Sequence, residues 1–285
     1  MSTLGKQQGR RLAAWPALAA LAAAGWMAVQ SEARAEFVDY PQFRHVSGLP
    51  GNGYAVNADG EVGWDGAISQ CIPLGYTPSS GSVAGSYFSG SRSGGMELGF
   101  SGTEVDGTLA LTAGFGSKGH GVAVTADFVD DDFDIAMHAQ AQVLRETDSR
   151  PAVSVGVLDW ANRREETLND WDARGGRSFY VAATKQFDAG GRPLHVTLGL
   201  GTHRFGDGPF AGACYDLHDR VKVLAEYDGL GVNAGAAAQL LPDRKSSGID
   251  GEGGSGRSDA LSLYVGIADL QYPVIGLTYA RKGVF

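Results

Sequence analysis

Cysteine is scarce. The chain carries 2 in 285 residues, Cys71 and Cys214. There is no CxxC pair and no Cys/His spacing of a zinc site, which excludes zinc-ribbon and thioredoxin-like chemistry. Positive charge is also short: 23 Lys and Arg stand against 32 Asp and Glu, a formal net charge of −9. An acidic balance argues against a partner bound through phosphate neutralisation, so no nucleic acid is expected. Beyond residue 29 no apolar run is long enough to cross a membrane as a helix, so any later span has to be made of strands. Signatures of catalysis are missing too. The histidines His45, His120, His138, His195, His203 and His218 form no HExxH, and no serine sits in GxSxG. The reading is therefore of a non-enzyme with no catalytic residue and no cofactor.

What is present begins with an export signal. Lys6, Arg10 and Arg11 precede an apolar stretch from Ala13 to Val29, and Ala33-Arg34-Ala35 offers the small residues a signal peptidase needs. Residues 1–35 are read as a secretory signal peptide, with the mature chain starting at Glu36. In an exported protein the pair Cys71 and Cys214 is a candidate disulfide, with two separate thiols as the alternative.

The remaining 36–285 reads as one short two-residue-period strand after another. Phe133, Ile135, Met137, Ala139, Ala141 and Val143 share one face, opposite Asp134, Ala136, His138, Gln140 and Gln142. Leu109, Leu111, Ala113 and Phe115 oppose Thr108, Ala110, Thr112 and Gly114. The same split runs through 194–200 and 261–267. Further strands are expected near 61–69, 82–89, 94–101, 120–128, 152–160, 177–187, 208–216, 219–227, 230–240 and 273–282. Turn text such as Asp106-Gly107 and Gly206-Asp207-Gly208-Pro209 separates them. The polar stretch 241–259 is read as a flexible external loop.

Two features favour a membrane barrel over a soluble, lectin-like sandwich. Aromatics lie near strand ends: Phe100, Phe115, Phe128, Phe133, Trp160, Phe179, Tyr227 and Tyr279. The faces opposite the apolar ones hold Gly, Ala, Ser and Thr rather than the Lys and Glu of a wetted sheet. The last segment, ending on Phe285, also resembles the terminal strand of such barrels. The expectation is an all-β, antiparallel transmembrane β-barrel of about 12 to 14 strands in the outer membrane of a Gram-negative bacterium, with outer-membrane lipid as its surroundings.

Several motifs carry candidate chemistry. Gly114 to Gly119 fits GxGxxG, but a strand follows where a nucleotide site needs a helix, so a hairpin turn explains it. Asp130, Asp131, Asp132 and Asp134 form an acidic knot, a weak candidate for a hard cation. His138 and Ser154 fall on polar faces of successive strands and are the pair a barrel hydrolase acting on lipid would use. The richest constellation is Leu224 to Gly229 followed by Asn233-Ala234-Gly235. Alternation puts Arg220, Lys222 and Glu226 on one inner face, where charges of both signs pair across strands, and Asp228-Gly229 turns the chain.

The text "LAEYDGLGVNAGAAAQL", together with "PFAGACYDLHDRVKVLAEYDG", "HVTLGLGTHRF" and the early "SGLPGNGYAVNADGEVGWDG", resembles the YjbH-like outer-membrane proteins. That family is linked to exopolysaccharide and capsule production. The resemblance is best over 192–240, and the chain is much shorter than the larger members. It implies Glu226, Asp228, Asn233 and Gly235 as structural-motif residues, a role in exopolysaccharide export or envelope assembly, and polysaccharide or export-machinery proteins as partners. A general small-solute porin and a lipid-modifying barrel enzyme are the alternatives.

Overall fold

The computed structural model describes residues 48–79, 81–90, 107–128, 135–161, 177–241 and 259–284. The signal peptide, the strand expected at 94–101, the acidic knot Asp130 to Asp134 with Phe133, and Phe100 and Phe285 lie outside these residues.

Twelve strands close into one antiparallel barrel. A small hairpin precedes them, β1 (Ala55–Val56) paired with β2 (Val62–Gly63). The barrel strands are β3 (Ser82–Gly90), β4 (Gly107–Ser117), β5 (His120–Phe128), β6 (Ile135–Leu144), β7 (Ala152–Leu158) and β8 (Ser178–Asp188). They continue as β9 (Pro193–Gly201), β10 (Gly208–His218), β11 (Val221–Tyr227), β12 (Val232–Leu241), β13 (Asp259–Ala268) and β14 (Tyr272–Arg281). Each pairs with the next, and β14 returns to β3, with Leu277 opposite Tyr87, so no edge is left open.

The two-residue period is inside out relative to a soluble sheet. Along β6, Ala136, His138, Gln140 and Gln142 are buried, while Ile135 and Val143 are exposed. On β4, Thr108, Ala110 and Thr112 are buried and Leu109 and Leu111 point outward. Leu198, Leu200, Val265 and Leu277 join them on the outer surface. Exposed rings stand at both ends of this apolar belt. Phe115 and Tyr279 lie towards the end where β3 starts and β14 finishes, called here the terminal end. Trp160 and Phe179 lie towards the opposite, far end. Against water each large apolar side chain left exposed forgoes about 1.5–3 kcal/mol of burial, so this belt is a surface made for an apolar surrounding.

The inner wall is smoothed by glycine where rings lie flat on it. Gly235 and Gly266 are opposite one another on β12 and β13, and the buried Tyr264 ring crosses them; a Cβ on Gly235 would overlap its hydroxyl. Phe210 lies over Gly199 in the same way.

The strand expected at 61–69 is not part of the wall. Residues 48–79 lie within the lumen, where almost every side chain is buried on all sides. A lumen segment meets wall in every direction, so it has no exposed face to alternate with. The loop expected at 241–259 lies outside the described residues beyond Leu241, but the strands that flank it, β12 and β13, open at the terminal end.

The ring-on-glycine packing gives a stability prediction. Gly235→Val should destabilise the folded barrel by about 1–3 kcal/mol through overpacking, read as a lower denaturant midpoint in detergent micelles. Gly208→Ala, where the added carbon meets nothing closer than 3.6 Å, should leave the midpoint in place.

Candidate functional site

The lumen and the segment that fills it form the site. From Gly48, against the Asp127 carboxylate near the far end, the chain descends to a tight turn over 57–61 at the terminal end. The Asn57 side-chain oxygen Oδ1 accepts from the Asp59 and Glu61 backbone amides at 3.0 Å and shapes that turn. The chain climbs again to an apex at 70–72, then descends to Ser79 and enters β3.

Glu226 holds the apex. It sits on the inner face of β11, opposite Gly212 on β10 and Asn233 on β12. Its two carboxylate oxygens accept from the Gln70 amide at 2.9 Å and the Cys71 amide at 2.8 Å. Beside it, the Tyr264 hydroxyl donates to the Gln70 side-chain carbonyl. The local sequence makes this arrangement rigid. Asp228 Oδ1 accepts from the Leu230 and Gly231 amides, its Oδ2 accepts from Asn233 Nδ2, and Asn233 Oδ1 accepts from the Asp269 amide at 2.9 Å. The hairpin therefore caps itself and ties into the next turn.

The descending limb is held by neutral side chains. Gly75 N–H donates to Thr184 Oγ1 at 2.7 Å, Ser154 Oγ donates to the Leu74 carbonyl at 2.7 Å, and Thr77 N–H donates to Gln142 Oε1 at 3.0 Å. Gln140 Nε2 reaches the Leu74 and Tyr76 carbonyls, and Ser262 Oγ donates to the Gly53 carbonyl on the first limb. The turn at 57–61 is tied by exposed ion pairs: Asp59 with Lys118 and Arg145, Glu61 with Lys118 and Lys282.

The charged wall is arranged differently from the sequence expectation. Lys222 is buried and pairs with Asp216 at 2.5 Å rather than with Glu226, and its ammonium lies 5.4 Å from the Trp64 ring centroid, a cation–π contact with the plug. Arg220 is exposed in the β10–β11 turn and does not share the inner face. Arg220 precedes β11, which starts at Val221, so strand alternation does not reach back to it. Leu224 does share the inner face, packed with Trp64, Ile68 and Cys214. No disulfide joins Cys71 and Cys214; both are buried thiols.

His138 and Ser154 are not a catalytic pair. His138 Nδ1 accepts from the Asp159 amide at 2.8 Å, so the ring proton is on Nε2, which meets Asp127 Oδ2 at 2.8 Å. Ser154 is opposite Gln142, four residues along β6 from His138, a separation of about 13 Å at strand rise. Its hydroxyl is committed to the plug. Among the described residues no group of three or more His, Cys, Asp or Glu is placed to hold a metal.

Of the clamp residues, Gln140 and Gln142 show in the sequence as polar wall positions and Ser262 and Tyr264 as the face opposite the apolar one, while Thr184 shows only as part of the strand expected at 177–187. The glycine-dense, asymmetric text of 48–66 was the available sign that this stretch does not continue the strand series.

Two predictions follow from this geometry. Glu226→Gln keeps the shape but turns an amide N–H₂ towards a backbone N–H, leaving a buried donor unmet at about 1–3 kcal/mol. Protease sensitivity within 48–79 and ion conductance should both rise; a silent, protease-resistant variant would remove Glu226 as the main hold. The second concerns pH. Burial pushes the Tyr54 phenol up to about 12, and burial followed by the neighbouring Glu146 raises Tyr76 further. A raised folded value means the seated plug favours neutral phenols, so this stabilisation is complete below about pH 10, the unfolded value. It is lost as pH climbs through about 12 for Tyr54. Tyrosinate absorbance should lag that of exposed tyrosine and appear together with plug loosening, and Tyr54→Phe should reduce the lagging fraction.

No family model matches the chain, and no curated protein matches it. Among solved structures it is similar to an outer membrane channel from Pseudomonas putida F1, at 11% identity over 74% of this chain and 96% of that one, with a TM-score of 0.33. It is also similar to Neisserial surface protein A, at 10% identity over 72% of this chain and 95% of that one, with a TM-score of 0.18. Likeness of this degree says nothing of function.

Proposed function

We propose that this chain is a non-enzymatic outer-membrane β-barrel that keeps its lumen closed with its own N-terminal segment and serves exopolysaccharide export or envelope assembly. The observation that carries the closed-barrel reading is the run of wall side chains, Glu226 foremost, committed to the backbone of 48–79. The outward apolar belt with exposed rings at both ends supports a lipid setting. A barrel inserted from the periplasm keeps both ends of an even strand series on that side. The turn at 57–61 then faces the periplasm and the Asp228 hairpin faces outward. Leu241 and Asp259, where β12 ends and β13 begins, then face the periplasm, whereas the sequence suggested an external loop between them. The polysaccharide role is supported by the hairpin text around Glu226 and its YjbH-like resemblance.

A general porin is less well supported, because a filled lumen gives no standing path for solutes. The barrel enzyme loses its pair, since His138 and Ser154 are each engaged elsewhere.

Three readings test the proposal in order. In the outer-membrane fraction the unboiled protein should migrate apart from the boiled one; a soluble periplasmic protein without that shift would overturn the barrel in membrane. Reconstituted in planar bilayers it should stay silent, whereas steady conductance would restore the porin. Deleting it should lower surface polysaccharide, and unchanged glycan would end the polysaccharide role while leaving the closed barrel intact.

A further inference from the structure

The wall behind the first limb of the plug carries a patch built in two rows. Across β3, β14 and β13 the inward positions Phe88, Gly276 and Tyr264 stand opposite one another, and Thr108 on β4 continues the row beside Phe88. The next inward positions on the same three strands are Ser86, Thr278 and Ser262. Rings in one row therefore lie beside hydroxyls in the next. The rings are laid along the wall. A Cβ on Gly276 would come within 2.4 Å of the Phe88 ring, and the Phe88 and Tyr264 centroids are 5.7 Å apart at a tilt of 51°. All of these side chains are buried. Gly53 of the plug covers them. Its carbonyl accepts from Ser262 Oγ at 2.7 Å. Its φ is +74°, and a Cβ on it would meet the Phe88 ring at 2.5 Å and Thr278 Oγ1 at 2.6 Å. The cover leaves polar groups unspent. Thr278 Oγ1 and Thr108 Oγ1 meet no hydrogen-bond partner among the described residues, a costly state for a buried hydroxyl.

We propose that this patch is a binding platform for a neutral, hydroxyl-rich saccharide chain, and that the plug limb at Gly53 occupies it in the saccharide's absence. The proposal rests on the closed-barrel reading and names the substrate class of the polysaccharide role. A pyranose ring has faces of C–H groups and a rim of hydroxyls. Phe88 and Tyr264 offer ring faces to the first, and Ser86, Thr278 and Ser262 offer hydroxyls to the second, the mix of apolar surface and a few placed polar groups that small-molecule sites use. A threonine hydroxyl both donates and accepts, so the two that the plug leaves unspent suit a ligand that does the same. An acidic chain fits badly. Neither row holds a cation, the buried Lys222 is already paired with Asp216, and the Glu226 carboxylate lies within electrostatic reach of Tyr264. That carboxylate repels a uronate or phosphate carried along the wall. Gly53 and a sugar cannot sit on the platform together. A saccharide that binds the uncovered wall therefore shifts the plug towards its unseated state.

The test uses the wild-type, full-length protein in micelles of a detergent without a sugar headgroup. The probe is a short linear glucan, with an oligogalacturonide of the same length as the acidic counterpart. Protease cleavage within 48–79 is read against probe concentration. The expected result is cleavage that rises at least several-fold with the glucan and stays level with the uronide. Cleavage that the glucan leaves unchanged, or that the uronide raises as much, overturns the proposal. Thr278→Val keeps the side-chain shape and removes an unmet buried hydroxyl, so its denaturant midpoint should hold or rise. The glucan concentration needed for half-maximal cleavage should nevertheless rise several-fold, an effect that a purely structural role for Thr278 would not produce; an unchanged requirement overturns the platform. The two readings fail separately. A deletion that leaves surface glycan intact, while the glucan still releases the plug, ends the polysaccharide role and leaves the platform standing. Loss of an acidic surface polymer on deletion, with no response to the glucan, does the reverse.

Discussion

An irregular backbone inside a lumen brings amide and carbonyl groups that no neighbouring strand will meet. Left unmet, each costs free energy on the scale of a lost hydrogen bond. That requirement governs the inner wall of this barrel. Thr184, Ser154, Gln140, Gln142 and Ser262 each spend their polar atoms on plug backbone, and Glu226 spends both carboxylate oxygens on two successive amides. The outer face answers to the opposite demand, with Leu111, Leu198 and Leu200 exposed. A two-residue period is the only strand pattern that meets both at once.

This explains which parts of the fold could be read from the chain. β6 was legible residue by residue, since Ile135 to Val143 face two different media and the sequence must alternate to suit them. So were β4 and β13, and β9 except at Val196, which belongs to the apolar face yet is buried. The plug was not legible by the same test. Val62, Trp64, Ala67, Ile68 and Leu74 are all buried, in a medium that is the same on every side, so periodicity carries no information there. The hairpin of Glu226, Asp228 and Asn233 stood out as a constellation because its residues are tied to one another locally, but its partners lie some 155 residues away in Gln70 and Cys71. Sequence spacing shows the first kind of tie and is blind to the second. Arg220 failed for a narrower reason: the alternation was carried one residue past the start of β11, into the turn.

The ties that hold the plug are graded along the barrel axis, and the grading sets the order in which they yield. At the terminal end, Asp59 and Glu61 meet Lys118, Arg145 and Lys282 through side chains that are a third to two-thirds exposed. Pairs of that kind contribute about 0–1 kcal/mol and weaken with salt. Midway, neutral hydrogen bonds from Thr184 and Ser154 are buried and indifferent to ionic strength. At the apex a carboxylate meets two amides away from water, where charge-assisted bonds are roughly twice as strong as neutral ones. The turn at 57–61 is therefore the first part to detach and the apex the last. Detaching the turn alone opens only the terminal mouth, because the apex at 70–72 still bars the lumen nearer the far end. A continuous path demands that the Glu226 contacts break, so the barrel's rest state is decided by one buried carboxylate and the two amides it holds.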